Sequence, residues 1–85
     1  MTPGTVTYTF TSPKAGPPVW LEDGQTLVVT CSSPGLGILR RSTDGFATWE
    51  DVLTSSVTHT GQVQDYRYVC LSTPVTPLVV SLKVS

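Results

Sequence analysis

The chain is predicted to be all-β: a compact antiparallel β-sandwich, or a partly open barrel, of roughly six to eight short strands. Three observations carry that expectation. Apolar and polar residues alternate with a period of two in several runs, which puts every second side chain on one face of a strand. Valine and threonine dominate, and both are β-branched residues that fit a pleated surface. No segment sustains a helical apolar period, while turn residues recur about every 8–12 positions. With 85 residues the chain forms one domain, 1–85, whose core is thin.

Thr5–Thr11 alternates strictly, with Val6, Tyr8 and Phe10 toward a core and threonines outward. Ser12–Pro18 holds three prolines and a glycine and reads as a loop. Residues 1–18 are therefore expected to form an N-terminal arm and loop, able to pair with the domain's own sheet or a neighbour's. Val19–Leu21 and Thr26–Cys31 flank Glu22-Asp23-Gly24-Gln25, the signature of a hairpin whose Gly24 takes positive φ. Ile38–Ser42 and Thr48–Ser55 flank Asp44-Gly45 and predict a second hairpin. Val57–Thr60 is a weaker strand. Val63–Leu71 places Tyr66, Tyr68 and Cys70 on one side, and Leu78–Val84 turns Leu78, Val80, Leu82 and Val84 inward. Pro74 and Pro77 bracket the start of that last strand, which suits a sheet edge or the first residues of a strand.

Composition excludes several kinds of work. Only 13% of residues are charged, about half the usual share, so hydroxyls must keep much of the surface wetted. The net charge is −1, and the five basic residues form no stripe; adjacent Arg40 and Arg41 point to opposite faces of a strand. Nucleic acid is not an expected partner. No apolar run approaches the ~20 residues that span a bilayer, so no membrane partner is expected. Met1-Thr2-Pro3-Gly4 opens without a basic and then apolar stretch, so no signal peptide is expected.

Catalytic residues are equally hard to assemble. His59 is the only histidine and is expected on a strand end facing solvent. No glycine elbow accompanies any serine. Glu22-Asp23 and Glu50-Asp51 are neighbours in sequence, as at turns or solvated strand ends, whereas paired acids of glycosidases face each other across a cleft. One histidine and two distant cysteines make a poor metal set. The expectation is no enzyme activity, no catalytic residue, no cofactor and no metal.

Ser42-Thr43-Asp44-Gly45-Phe46-Ala47-Thr48-Trp49 resembles the Asp-box, a short repeat of sialidase-type β-propellers and several unrelated β proteins. Ser42, Asp44, Thr48 and Trp49 carry the match, with Gly45 in the turn and Ile38 and Leu39 in the preceding strand. Asp44 is placed to accept hydrogen bonds from turn amides, and Trp49 to fold its ring over the hairpin. The resemblance implies a structural turn and no catalysis. Phe46 stands where that family has glycine, so a positive φ there would strain it. One box in a chain this short excludes a propeller, which needs at least about four blades.

The Tyr68-Val69-Cys70 sequence, and Gly24–Cys31 before it, resemble the two cysteine strands of immunoglobulin-type domains. That resemblance implies an inter-sheet bridge between Cys31 and Cys70. The absence of a secretion signal favours two free thiols instead.

The leading expectation is a non-enzymatic structural subunit, homo-oligomeric and bound to a capsid or other lattice protein. In style it is similar to phage capsid decoration (cement) proteins, which are often short, helix-poor and rich in threonine, valine and proline. That resemblance implies a virion location after assembly in the host cytoplasm. The alternative is a small carbohydrate-binding module in which Trp20 and Tyr66 stack on sugars.

Overall fold

The structure, a computed structural model, describes residues Met1–Ser85. Nine strands run in chain order: β1 Gly4–Phe10, β2 Lys14–Ala15, β3 Val19–Leu21, β4 Thr26–Cys31, β5 Gly37–Ser42, β6 Glu50–Val52, β7 Ser56–Thr58, β8 Gln64–Cys70 and β9 Leu78–Val84. They form two antiparallel sheets packed face to face. One has the order β1-β9-β4-β7; the other has β2-β8-β5-β6, with β3 beside β2 along the same side of β8. Neither sheet closes on itself, so the molecule is a β-sandwich and not a barrel. The strand beyond the expected eight is Lys14–Ala15, inside the predicted loop, where Gly16 N–H also donates to Tyr68 O at 2.8 Å.

Alternation decides the core. Phe10, Leu27, Val29, Leu78, Val80, Leu82 and Val84 from the first sheet meet Val19, Leu21, Leu39, Tyr66, Tyr68 and Cys70 from the second. Leu78, Val80, Leu82 and Val84 in β9 and Phe10 in β1 are inward as a period of two assigns, with Tyr8 partly buried against them. In β8 the period groups Tyr66, Tyr68 and Cys70, and the fold turns that group inward. Phe10 meets Tyr8 edge-on with centroids 5.6 Å apart and lies 6.2 Å from Tyr68.

Of the two pairings open to the N-terminal residues, they take the domain's own sheet: β1 pairs along its whole length with β9, from Gly4↔Val84 to Phe10↔Leu78. Tertiary pairing departs from the local reading in two places. The last strand is not an edge, because β9 lies between β1 and β4. Its prolines precede the strand, where no ladder N–H is lost. The Glu22–Gln25 turn joins no hairpin: β3 pairs with β8 and β4 with β9 and β7, so the turn passes from one sheet to the other.

Gly24 does take φ +86°, as a tight turn requires. A turn signal reports chain reversal and not the partner. Here the partner is set by burying Val19 and Leu21 on one inner face and Leu27 and Val29 on the other. The turn is instead pinned to the β7–β8 corner through Gly24 N–H to His59 O, His59 N–H to Gln25 O, and Gly61 N–H to Asp23 Oδ1, at 2.8, 2.8 and 2.9 Å.

Cys31 in β4 and Cys70 in β8 lie on facing sheets, and both thiols are free. The Tyr68 hydroxyl donates to Cys31 Sγ at 3.8 Å, and Cys70 Sγ donates to Ser72 O at 3.2 Å. The immunoglobulin order pairs the last strand with the second cysteine strand. Here β9 pairs with the first, β4.

Candidate functional site

The box hairpin forms as the sequence implies and is then turned back on the sheet. Ser42, only 1% exposed, gives its hydroxyl proton to Asp44 Oδ1 at 2.9 Å and accepts Phe46 N–H at 3.0 Å. Asp44 also accepts the Thr48 amide at 2.9 Å and the Thr48 hydroxyl. Gly45 and Phe46 both adopt positive φ, +70° and +77°. The glycine does so freely; the phenylalanine is strained. Its ring lies parallel to Trp49, 5.5 Å centroid to centroid, and the Arg67 guanidinium sits 4.0 Å over the Trp49 ring. Stacking and cation–π attraction of about 0.5–1.5 kcal/mol each offset that strain. Trp49 is half-buried on the outer face and is not part of the core.

Bonds from the Thr48 hydroxyl, then the Thr48 amide, then Ser42 hold the Asp44 carboxyl below its usual 3.8. The group titrates lower folded than unfolded, so its contribution is complete above 3.8 and is lost as pH falls through the lower folded value. In an NMR titration the Asp44 carboxyl is expected to have its midpoint below 3.8. Asp44→Ala is expected to release the Phe46–Trp49 stack, seen as loss of near-ultraviolet dichroism with the rest of the fold intact. A midpoint at or above 3.8 would contradict the bonding described.

Paired charges flank this hairpin. Arg40 Nε donates to Asp51 Oδ1 at 3.0 Å and Arg41 Nε to Glu50 Oε1 at 2.7 Å, across the β5–β6 register. The two acids are therefore ladder partners and not an acid pair across a cleft. Their symmetry about the turn is visible in the sequence, Arg-Arg before it and Glu-Asp after.

His59 is buried and does not face solvent, contrary to its expected place. Its Nε2 faces Gln62 O at 2.6 Å, and its Nδ1 faces the Tyr66 hydroxyl at 2.9 Å. A carbonyl can only accept, so in the neutral ring Nε2 carries the proton and Nδ1 accepts from the phenol. Glu50 first, and the Tyr66 oxygen second, raise the Arg41 pKa further above its usual value. Tyr66, the register partner of Arg41, thus lies between a surface ion pair and a buried imidazole, and nothing in the sequence marks the His59–Tyr66 pairing. This also removes Tyr66 as a sugar platform: it is fully buried because its position in β8 faces the opposite sheet. Trp20, one position out of phase with Val19 and Leu21, lies on the outer face and is 47% exposed.

Besides this outer face with Trp20, three surfaces remain open to partners. The first is the free side of β1, paired only with β9. The second is the outer face of the β1-β9-β4-β7 sheet, where the register places Thr5, Thr7, Thr9, Ser81, Thr30 and Thr58 around a single charge, Lys83. Thr7 and Ser81 share a hydrogen bond at 2.9 Å there, as Thr26 and Thr58 do at 3.0 Å. The third is a cavity of about 300 Å³ between β4 and the β5–β6 hairpin, lined by Val29, Cys31, Leu39, Val52 and Tyr68. Leu53, 87% exposed, stands at its rim.

Comparison with protein-family models, with curated proteins and with solved structures finds no match.

Proposed function

We propose that the protein is a non-enzymatic structural subunit that pairs with copies of itself and covers or braces a lattice. A virion surface is the assembly it most resembles in style, after folding in the host cytoplasm. The observation that carries this reading is β1. It offers seven residues, Gly-Thr-Val-Thr-Tyr-Thr-Phe, without a charge or a proline, and one side of it has no strand partner. Sheet edges of that kind present a row of backbone donors and acceptors for another chain, and proteins that avoid such pairing place lysine or proline on them. The other exposed edge strands are only two or three residues long. Next to β1, the hydroxyl-rich face and its lone Lys83 present little charge to desolvate on contact. Leu53 and the cavity beside it supply a separate apolar contact, and repeated weak contacts sum across a lattice.

A small hydrolase is less well supported. Both ring nitrogens of His59 are already engaged, by a phenol and a backbone carbonyl, with no carboxylate behind them.

Light scattering across a concentration series tests the proposal. The protein is expected to run as an oligomer, and Thr7→Lys with Thr9→Lys to shift it to a monomer that keeps the far-ultraviolet dichroism of the folded sandwich. Both positions are exposed, so the added charges act on the edge and not on the core. A monomer at every concentration would remove the self-association claim. An oligomer untouched by the lysines would move the contact away from β1.

A further inference from the structure

The geometry points to a saccharide subsite on the outer face of the β2-β8-β5-β6 sheet, formed by Trp20, Asp65 and Arg67 beside the box hairpin. It is independent of the assembly reading. The register places Trp20 directly across from Asp65, and Asp65 directly across from Ser42. Ser42 is roofed by the box turn, and the turn carries the Phe46–Trp49 stack on this face. Trp20 and Ser42 are two strand spacings apart, about 10 Å. Asp65 therefore lies between an indole on one side and the strained aromatic hairpin on the other.

The face between them bears two unpaired charges, one of each sign, next to the Arg40–Asp51 ion pair, whose Arg40 lies directly across from Arg67. Arg67 follows Asp65 by two residues on the same face, and its guanidinium is spread over Trp49. Arg40 and Arg41 have carboxylate partners within 3.0 Å; Asp65 and Arg67 have none. Arg67 Nε is buried without any hydrogen-bond partner. Unpaired opposite charges beside a half-exposed indole suit a ligand that is uncharged, that both donates and accepts, and that has a flat apolar face.

A neutral pyranose has all three properties. Its axial C–H face stacks on Trp20, adjacent hydroxyls donate to Asp65, and a further oxygen accepts from Arg67. A phosphate or carboxylate ligand would meet Asp65, and a purely apolar one would leave that carboxylate desolvated and unpaired. The box hairpin gains a role beyond closing a turn, since holding Phe46 at positive φ keeps the stack, and so Arg67, in place.

The test is an NMR titration of the labelled protein with neutral oligosaccharides, namely malto-, cello-, xylo- and mannohexaose, following the Trp20 indole N–H. At least one sugar is expected to move that signal with Kd below about 10 mM. Trp20→Ala and Asp65→Asn are each expected to weaken binding about tenfold or more, with Val75→Ala, fully exposed, unchanged. If Trp20→Ala perturbs the fold, Asp65→Asn carries the test, because it keeps size and removes only charge. The assignment is overturned if none of the four sugars moves the indole. It is overturned equally if binding survives both substitutions, or if the indole signal responds to protein concentration alone, which would give this face to a second copy.

Discussion

Phe10→Ala is expected to cost about 3–5 kcal/mol, among the largest effects of any single change. A chain of this length has a total stability of about 4–13 kcal/mol. The ring is 1% exposed and meets Tyr8 and Tyr68, so truncation opens a cavity between the two sheets at the end of β1. A β-carbon built on Gly16 would lie 3.1 Å from Phe10 Cζ and 3.1 Å from Tyr8 Cε2, so backbone packs closely against the ring as well. The thermal midpoint should fall by at least about 12 °C, at roughly 4–8 °C for each kcal/mol in a domain of this size. The measurement also decides how residues 1–18 behave. A detachable arm would lose Phe10 with little change in the unfolding midpoint, whereas an integral strand takes the whole domain with it.

Gly37→Ala is expected to destabilise by about 3 kcal/mol, against the usual small gain from replacing a glycine. A β-carbon at this position would lie 2.5 Å from the Val69 carbonyl oxygen and 2.5 Å from Cε1 of Tyr68. The carbonyl is backbone in the central β5–β8 pairing and cannot rotate away; the ring is locked in the core. Gly4→Ala is the internal comparison, since a β-carbon there meets nothing within 4 Å. Urea unfolding of the two variants should give opposite or clearly unequal shifts. Equal and small shifts would mean that β5 and β8 pack less tightly than described.

Gly37 illustrates how legibility varied along the chain. In the sequence it ends Ser32-Ser33-Pro34-Gly35-Leu36-Gly37, a run whose composition signals only chain reversal. In the fold it is the first residue of β5, and its missing β-carbon is what lets Tyr68 pass. The box residues Ser42, Asp44, Gly45 and Thr48 were readable because their bonds span at most four residues. Trp49 was readable as a ring folded over its hairpin, but Arg67 beneath it was not, because the two meet only through the β5–β8 register. The same holds for His59 and Tyr66. Each belongs to its own local pattern, and only the β7–β8 corner brings the imidazole to the phenol.

Alternation by itself determined that this protein is built of strands buried on one face, with Phe10, Leu78, Val80, Leu82 and Val84 inside. That Tyr66 and Tyr68 face the core, and that the sheets stay open as a sandwich and do not close as a barrel, came only with the tertiary structure. A period of two is a property of the strand, and burying one face of each strand is the dominant gain. Which strand lies beside which was decided only by the tertiary structure. Turn chemistry at Glu22–Gln25 could not say that β3 and β4 part company, nor prolines 74 and 77 that β9 would run through the middle of its sheet. Strand order depends on contacts between residues far apart in the chain, and neither turn residues nor side-chain period encodes them singly. The outer faces follow from that order. Trp20 beside Asp65, and β1 left without a second neighbour, are consequences of pairing and not of any motif.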